Sequence, residues 1–140
     1  MSVRFFLDTN IFVYTFDSKA AVKAKKAAQL IRHAADTGEG IISFQVVQEF
    51  FNVALRRFVP PMTAAEAEQY LITVFRPLLS IHSSPALYGE ALRISAKHHL
   101  AWYDSLIVAS AIEGRCQTLY SEDLQDGRNI EGLRIENPFD

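Results

Sequence analysis

The chain has 140 residues, a formal net charge of −2 and 49% hydrophobic residues, a balance typical of one globular domain rather than a disordered protein. The single cysteine, Cys116, excludes an internal disulfide and a zinc–thiolate cage and favours a reducing compartment. No apolar run approaches the roughly 18 residues of a membrane helix, and Asp8 interrupts the short apolar N-terminus, unlike in a signal peptide. We therefore expect one cytoplasmic domain over residues 1–140, without membrane association.

The first elements alternate between strand and helix. Residues 3–7 are a near-continuous apolar run that ends at Asp8, which is typical of a buried parallel strand. Alanine and isoleucine recur at helical spacing over 18–36, and Gly38 is suited to end a helix there. A second short apolar strand is expected over 41–44.

Proline and capping signals mark the elements that follow. An amphipathic helix is expected over 46–58, where two prolines close it off. Thr63 and Glu66 form a capping box that opens the next helix, and we expect that helix to end before Pro77. Residues 78–81 are short and apolar, which indicates a strand or a connector.

The last third of the chain contains a buried helix and two further strands. Ser84 precedes a proline at the first position of a helix that runs to about His99. Residues 104–113 are apolar on almost every side, which predicts a buried helix that Gly114 stops. A strand, a polar loop and a final edge strand follow, at 116–120, 121–129 and 133–135. Because helices separate the strands, we expect a three-layer α/β/α sandwich with a mainly parallel central sheet.

Four acidic residues fall where such a sheet would gather them, since function in open parallel sheets collects beyond the carboxyl ends of the strands. Asp8 ends the first predicted strand, and Asp123 follows the strand 116–120. Asp104 opens the buried helix, and Glu49 lies about one turn into the helix before the two prolines. Carboxylates that meet repel one another, so they take up protons or bind cations, and oxygen ligands favour Mg²⁺ or Mn²⁺. The implied chemistry is metal-assisted hydrolysis of a phosphodiester.

Each acid also has an ordinary structural explanation. Asp8 before Thr-Asn suits a turn, and Glu49 lies at the polar edge of its helix. Asp104 suits the first turn of a helix, where the helix dipole favours a negative charge, and Asp123 lies in a loop with two further acids. Asn10 and Ser121, each two residues from an edge acid, are candidates either for holding a carboxylate or a metal-bound water or for ordinary capping.

Four segments, in this order, resemble the PIN-domain nucleases and, more closely, the VapC toxins of bacterial toxin–antitoxin pairs. They are Leu7-Asp-Thr-Asn-Ile11, Gln48-Glu-Phe50, Tyr103-Asp-Ser-Leu-Ile-Val-Ala-Ser-Ala111 and Tyr120-Ser-Glu-Asp-Leu124. The resemblance covers essentially the whole chain, and the ordered set is far more specific than any single motif. It implies a PIN-like sandwich that forms a single nuclease domain.

The resemblance also implies site residues. The acidic quartet that binds Mg²⁺ or Mn²⁺ and performs catalysis corresponds to Asp8, Glu49, Asp104 and Asp123. Asn10 matches the polar residue after the first acid, and Ser121 matches the Ser or Thr before the last one. Glu122 and Asp126 are extra acids beside the last motif, so their contribution to the site is left open.

Members of this family are ribonucleases, commonly dimeric, that a cognate antitoxin inhibits by placing its tail in the active site. The resemblance therefore implies an RNA substrate, a homodimer and a VapB-like antitoxin whose own domain binds DNA. RNA phosphates need cations nearby, and the charge of the whole chain does not supply them. The best candidates are Lys23 and Lys26 on the helix 18–36, followed by Arg56.

The region 46–76 carries more aromatic residues than one helical hairpin needs to bury. They are Phe50, Phe51, Phe58, Tyr70 and Phe75. We expect them either to form an exposed surface for dimerisation or antitoxin docking, or to pack in the core.

Two other functions are compatible with parts of the pattern. A haloacid-dehalogenase-like phosphatase also has an aspartate at the end of its first strand and uses Mg²⁺. Its motif places a second aspartate two residues later as a general acid, where this chain has Asn10. A non-catalytic interaction module would reduce the acids to capping and solubility roles.

Overall fold

A single six-stranded sheet forms the centre of the computed structural model, which describes residues 3–140; the first two residues of the expected domain lie outside that range. The strands are β1 (Phe5–Leu7), β2 (Gly40–Ser43), β3 (Leu79–Ile81), β4 (Thr118–Tyr120), β5 (Asn129–Ile130) and β6 (Leu133–Glu136). Their spatial order is β3-β2-β1-β4-β6-β5. All neighbouring pairs are parallel except β5 and β6, which confirms the expected mainly parallel sheet.

Helices flank this sheet and complete the expected α/β architecture. They are α1 (Thr9–Tyr14), α2 (Ala21–Thr37), α3 (Phe44–Ala54), α4 (Ala64–Tyr70), α5 (Arg76–Leu78), α6 (Pro85–His98) and α7 (Trp102–Glu113). Helix α7 packs on α6 and touches β2, β4 and β6, while α1 packs on α2 and α3. Residues 105–111 of α7 are all buried, as the apolar sequence predicts. Within residues 3–140, no helix combines the length and apolar character that a bilayer crossing requires.

Helix α1 is an element that the sequence pattern did not predict. It begins directly after Asp8, at a Thr-Asn pair that the sequence pattern explains equally well by a turn. Asp8 has extended backbone geometry at the N-cap position, and its side chain accepts the Thr9 N–H at 2.7 Å. Six residues are too few to show a clear helical period, so this helix depends on its cap and on packing against its neighbours.

The helix that Thr63 opens passes Pro77, so the prediction that it ends before this proline is wrong. The capping box is present, with the Thr63 side chain accepting from the Glu66 N–H and the Glu66 side chain accepting from the Thr63 N–H. Helix α4 then continues through a π-helical turn, Leu71–Phe75, into α5. Pro77 is the second residue of α5, directly after the π-helical turn.

The last strand is internal to the sheet, so its prediction as an edge strand is also wrong. Strand β5 pairs antiparallel with β6 and takes the edge position. The two strands are joined by Glu131 and Gly132, both with positive φ, as a tight hairpin turn requires. A two-residue strand next to such a turn is hard to distinguish from a loop in sequence alone.

The aromatic residues of the region 46–76 pack mainly against one another. Phe50 and Phe75 are completely buried, so for these two residues the structure shows core packing, the second of the two expected alternatives. The Phe50 ring stacks on Tyr70 at 4.9 Å between centroids and meets Phe75 edge-on at 5.2 Å. Phe51 and Phe58 are partly buried against the same cluster. The exposed large apolar side chains of this region are Leu55, Val59, Leu71 and Ile72.

Candidate active site

Two adjacent parallel strands bring the first and last acidic motifs to the same edge of the sheet. Strands β1 and β4 pair in register, with Leu7 opposite Tyr120. The residue that follows β1 is Asp8, and its backbone N–H donates to the Tyr120 carbonyl at 3.1 Å. Ser121 directly follows β4, so the segment 121–123 begins beside Asp8. This position agrees with the expectation that polar residues gather at the carboxyl ends of the strands.

Ser121 links the first and last acids. Its hydroxyl donates to Asp8 Oδ2 at 2.8 Å and accepts the backbone N–H of Asp123 at 3.2 Å. Both Asp8 and Ser121 are buried, at 7% and 0% exposure. The hydroxyl therefore orients the Asp8 carboxylate and holds the start of the segment that carries Asp123.

The first turn of α1 reaches two further acids. Asn10 donates from Nδ2 to Asp123 Oδ2 at 2.9 Å. Thr9 donates from Oγ1 to Glu49 Oε1 at 2.8 Å. Sequence reasoning missed Thr9, although its place between Asp8 and Asn10 in a polar triplet after a strand was the available signal. One short helix thus contacts acids from α3 and from the loop after β4.

Asp104 lies in the first turn of α7, and a buried glutamine holds the start of that helix. Gln45, near the beginning of α3, donates from Nε2 to the Tyr103 carbonyl at 3.1 Å. Gln45 is 2% exposed, and its Oε1, like the buried Ser43 Oγ, has no hydrogen-bond partner within residues 3–140. Sequence reasoning missed Gln45, whose only signal was a polar residue soon after a short, largely apolar strand.

The acids of the site act on one another electrostatically. Burial raises the pKa of Asp8 to about 6, although hydrogen bonds from Ser121 and Thr9 oppose the shift; the charges of Asp123 and Glu49 raise it further. Burial and the charge of Asp123 raise the pKa of Asp104. Burial, with a contribution from the charge of Glu122, raises the pKa of Asp123. Asp8 and Asp123 therefore lie in one negative region at the ends of β1 and β4. The charge of Glu49 acts on Asp8 and that of Asp123 acts on Asp104, and such a region favours a cation.

The two extra acids are engaged elsewhere. Glu122 accepts from the Tyr14 hydroxyl at 2.8 Å and pairs with Lys23 Nζ at 3.1 Å. Asp126 accepts the backbone N–H of Asn137 at 2.9 Å. Lys23 is consequently a partnered cation, unlike the exposed Lys26 and Arg56, which form no ion pair within residues 3–140.

The donor set suits a hard divalent cation that keeps part of its water shell. Within residues 3–140, no three histidine, cysteine or acidic side chains converge closely enough in this conformation to hold a metal ion by themselves. Mg²⁺ usually binds through one or two carboxylates and completes its shell with water and substrate phosphate. The Asp8 carboxylate accepts two hydrogen bonds and those of Glu49 and Asp123 accept one each, which leaves acceptor sites free, so these oxygen donors fit Mg²⁺ or Mn²⁺.

Comparisons with known proteins agree with this architecture. The PIN domain family matches residues 5–126. A toxin–antitoxin complex from Klebsiella pneumoniae is similar in structure, with 17% sequence identity and a TM-score of 0.65 over 91% of this chain and 93% of that one. VapC20 from Mycobacterium tuberculosis, a toxin that cleaves the sarcin–ricin loop, is 19% identical with a TM-score of 0.64, over 85% and 89% of the two chains.

A third similar structure is VapBC2 from Rickettsia felis bound to a DNA fragment from its promoter. It is 19% identical, with a TM-score of 0.63 over 96% of this chain and 98% of that one. At such identities these likenesses establish the fold. No curated protein matches the chain.

Proposed function

The chain belongs to the PIN domain family, and we propose that it is a Mg²⁺- or Mn²⁺-dependent endoribonuclease, the toxin of a VapBC-type toxin–antitoxin pair. The observation that supports the proposal is that Asp8 and the segment carrying Asp123 follow adjacent parallel strands at one edge of the sheet, where the Ser121 hydroxyl links them. The charges of Asp123 and Glu49 contribute to the raised pKa of Asp8, and the charge of Asp123 contributes to the raised pKa of Asp104. We further propose that residues 1–140 form one nuclease domain.

We assign the ion to Asp8, Asp104 and Asp123, with Glu49 completing the site. A bound divalent ion supplies a Lewis acid for the phosphoryl oxygen and lowers the pKa of water that attacks phosphorus. Asp8 is buried and carries a raised pKa, so its ionised form is costly in the free protein and a cation would offset that cost. Because water is the attacking group, no side chain is covalently modified.

Three neighbouring polar side chains would keep the carboxylates in place. Ser121 and Thr9 bind acids by hydroxyl donors, and Asn10 does so by an amide donor. Donors of this kind fix the direction in which a ligand's free lone pairs point. Asn10 has no acidic proton to deliver, so it does not supply the general acid of the phosphatase alternative.

The proposed partners follow from the structural neighbours. The Klebsiella and Rickettsia structures are toxin–antitoxin assemblies, and VapC20 cleaves the sarcin–ricin loop. We propose an RNA substrate, a VapB-like antitoxin and a homodimer. Analytical ultracentrifugation would measure the mass of the dimer. A short adjacent gene that encodes a DNA-binding domain with an arginine-bearing tail would support the antitoxin.

Cleavage of RNA by the purified chain tests the proposal. Wild type and an exposed acid-to-amide control, Asp36→Asn, are expected to cut RNA with Mg²⁺ or Mn²⁺ and to stop when a chelator is added. Asp8→Asn should show no cleavage above the chelator level under any condition. Equal cleavage in all samples would indicate a contaminating nuclease, and wild type without cleavage would contradict the proposal. A phosphate covalently bound to Asp8 would instead support the phosphatase.

A further inference from the structure

Glu122 and Asp123 are consecutive residues whose side chains are held by different parts of the molecule. The Asp123 carboxylate accepts from Asn10 at the beginning of α1. Glu122 Oε1 accepts from the hydroxyl of Tyr14, the last residue of the same helix, at 2.8 Å. Glu122 Oε2 accepts from Lys23 of α2 at 3.1 Å. Both carboxylate oxygens of Glu122 are therefore occupied outside the acidic site.

Aromatic rings surround the lysine of this arrangement. Lys23 Nζ lies 4.9 Å from the centroid of the Tyr14 ring and 5.6 Å from that of Phe139. The two rings meet edge-on at 5.0 Å between centroids. The ammonium group thus has a carboxylate on one side and two ring faces within cation–π distance, which restricts its motion.

These contacts fasten the loop after β4 along the length of α1. Asn10 and Tyr14 are one helical turn apart and bind consecutive residues of the loop. Lys23 ties the same loop to α2. We infer that Lys23, Tyr14 and Glu122, which we name the lysine cluster, position Asp123 toward the acidic site. The role toward a metal ion rests on the proposed function.

Removal of the Lys23 charge should change metal affinity in opposite directions under a positioning role and under Coulomb repulsion alone. Lys23 is a positive charge close to a proposed cation site, so Coulomb repulsion alone predicts that its removal strengthens metal binding. If Lys23 positions Asp123 through Glu122, its removal weakens metal binding instead. Tyr14→Phe changes no charge and removes only the hydroxyl, which donates to Glu122 and accepts from Lys23 Nζ at 3.4 Å, so it isolates the geometric effect.

The experiment uses Lys23→Met and Tyr14→Phe in the full chain. Lys25→Met is the matched control, because Lys25 is an exposed lysine on the same helix without an ion pair in the described residues. Hydrogen exchange of the peptide over 121–126 is measured in metal-free protein, and Mn²⁺ affinity is measured by electron paramagnetic resonance without RNA. Thermal unfolding reports whether each variant is folded.

We expect faster exchange confined to 121–126 in both test variants. We also expect about tenfold weaker Mn²⁺ binding, the lower end of what loss of a ligand's supporting contact produces. The control should match wild type in both measurements. Unchanged hydrogen exchange in folded test variants would contradict the positioning role of the lysine cluster. Tighter Mn²⁺ binding by Lys23→Met would contradict it as well.

Two other results have distinct meanings. Weaker RNA binding by Lys23→Met with unchanged exchange would overturn positioning and make Lys23 a phosphate contact. If the wild type binds no Mn²⁺, the proposed function is contradicted. The hydrogen exchange of 121–126 in the variants and in wild type would then decide by itself whether the lysine cluster holds this loop.

Discussion

At the scale of single residues, the burial of Asp8 opposes the ionisation that the proposed metal site requires. Burial raises its pKa from 3.8 to about 6, so the folded protein holds this proton more tightly than the unfolded chain does. Stability from this group is therefore greatest at low pH and is lost as the pH rises through 6. Above that pH the ionised carboxylate destabilises the folded state by about 3 kcal/mol.

Asp8→Asn should accordingly stabilise the metal-free protein at pH 7.5 by up to about 3 kcal/mol, with the advantage shrinking toward pH 4. Urea unfolding with a chelator, at several pH values, measures this difference. Asp36→Asn, at an exposed position, should show a smaller and flatter effect. Added Mg²⁺ should stabilise wild type but not Asp8→Asn, because only the ionised site binds the cation. A pH-independent difference would contradict the burial argument.

At the scale of elements, close contact between α2 and β2 depends on a glycine. A methyl group at Gly40 would overlap the Cβ of Ala34 and would lie 2.7 Å from Cε2 of Phe5. Both neighbours are buried, and neither can move without shifting its own element. The Phe5 side chain of β1 and Ala34 of α2 therefore leave no room for a larger residue at the start of β2.

Gly40→Ala should lower the free energy of unfolding by about 1–3 kcal/mol because of this overlap. Gly89→Ala is the matched control: it lies inside α6 with nothing within 4 Å of an added Cβ. Alanine is the better helix former, so this variant should gain about 0.5–1 kcal/mol. Denaturant unfolding of the two variants gives opposite signs if the structure is right at both positions.

At the scale of the whole molecule, the proposed function requires a chain with net charge −2 to bring an RNA backbone to an acidic edge. The unpaired cations that the structure leaves for this task include Lys26 and Arg56, whereas Lys23 is already bound to Glu122. Binding of phosphates by such residues releases counterions and therefore weakens with added salt. Lys26 is the cleaner test, because its substitution breaks no ion pair of the described residues.

Lys26→Gln should weaken RNA binding and reduce the slope of log affinity against log salt by about 0.7–1, the loss of one phosphate contact. Filter binding at several salt concentrations, with chelator present to prevent cleavage, measures both quantities. Lys97→Gln, an exposed lysine on α6, should leave the slope unchanged. An unaltered slope for Lys26→Gln would remove this face of α2 from the RNA path.

Local patterns in the sequence were sufficient to predict most helices and strands and the mainly parallel arrangement of the sheet. Apolar runs, capping residues and helical spacing act over a few residues, so the strand that ends at Asp8, the capping box at Thr63 and the buried α7 could all be predicted. Elements whose formation depends on packing escaped this reasoning. They are the six-residue α1, the π-helical passage to Pro77 and the edge strand β5.

The sequence by itself determined which residue types were available to the site and at which strand ends they would lie. Only the tertiary structure decided which side chains meet. Thr9 and Glu49 are 40 residues apart in sequence, Asn10 and Asp123 are 113 apart, and Lys23 and Glu122 are 99 apart. No local rule assigns such partners, because their distances depend on how α1 and α2 pack against the sheet. The family resemblance singled out Asp123 and left the role of Glu122 open, and only the packing showed that Glu122 binds Tyr14 and Lys23 instead.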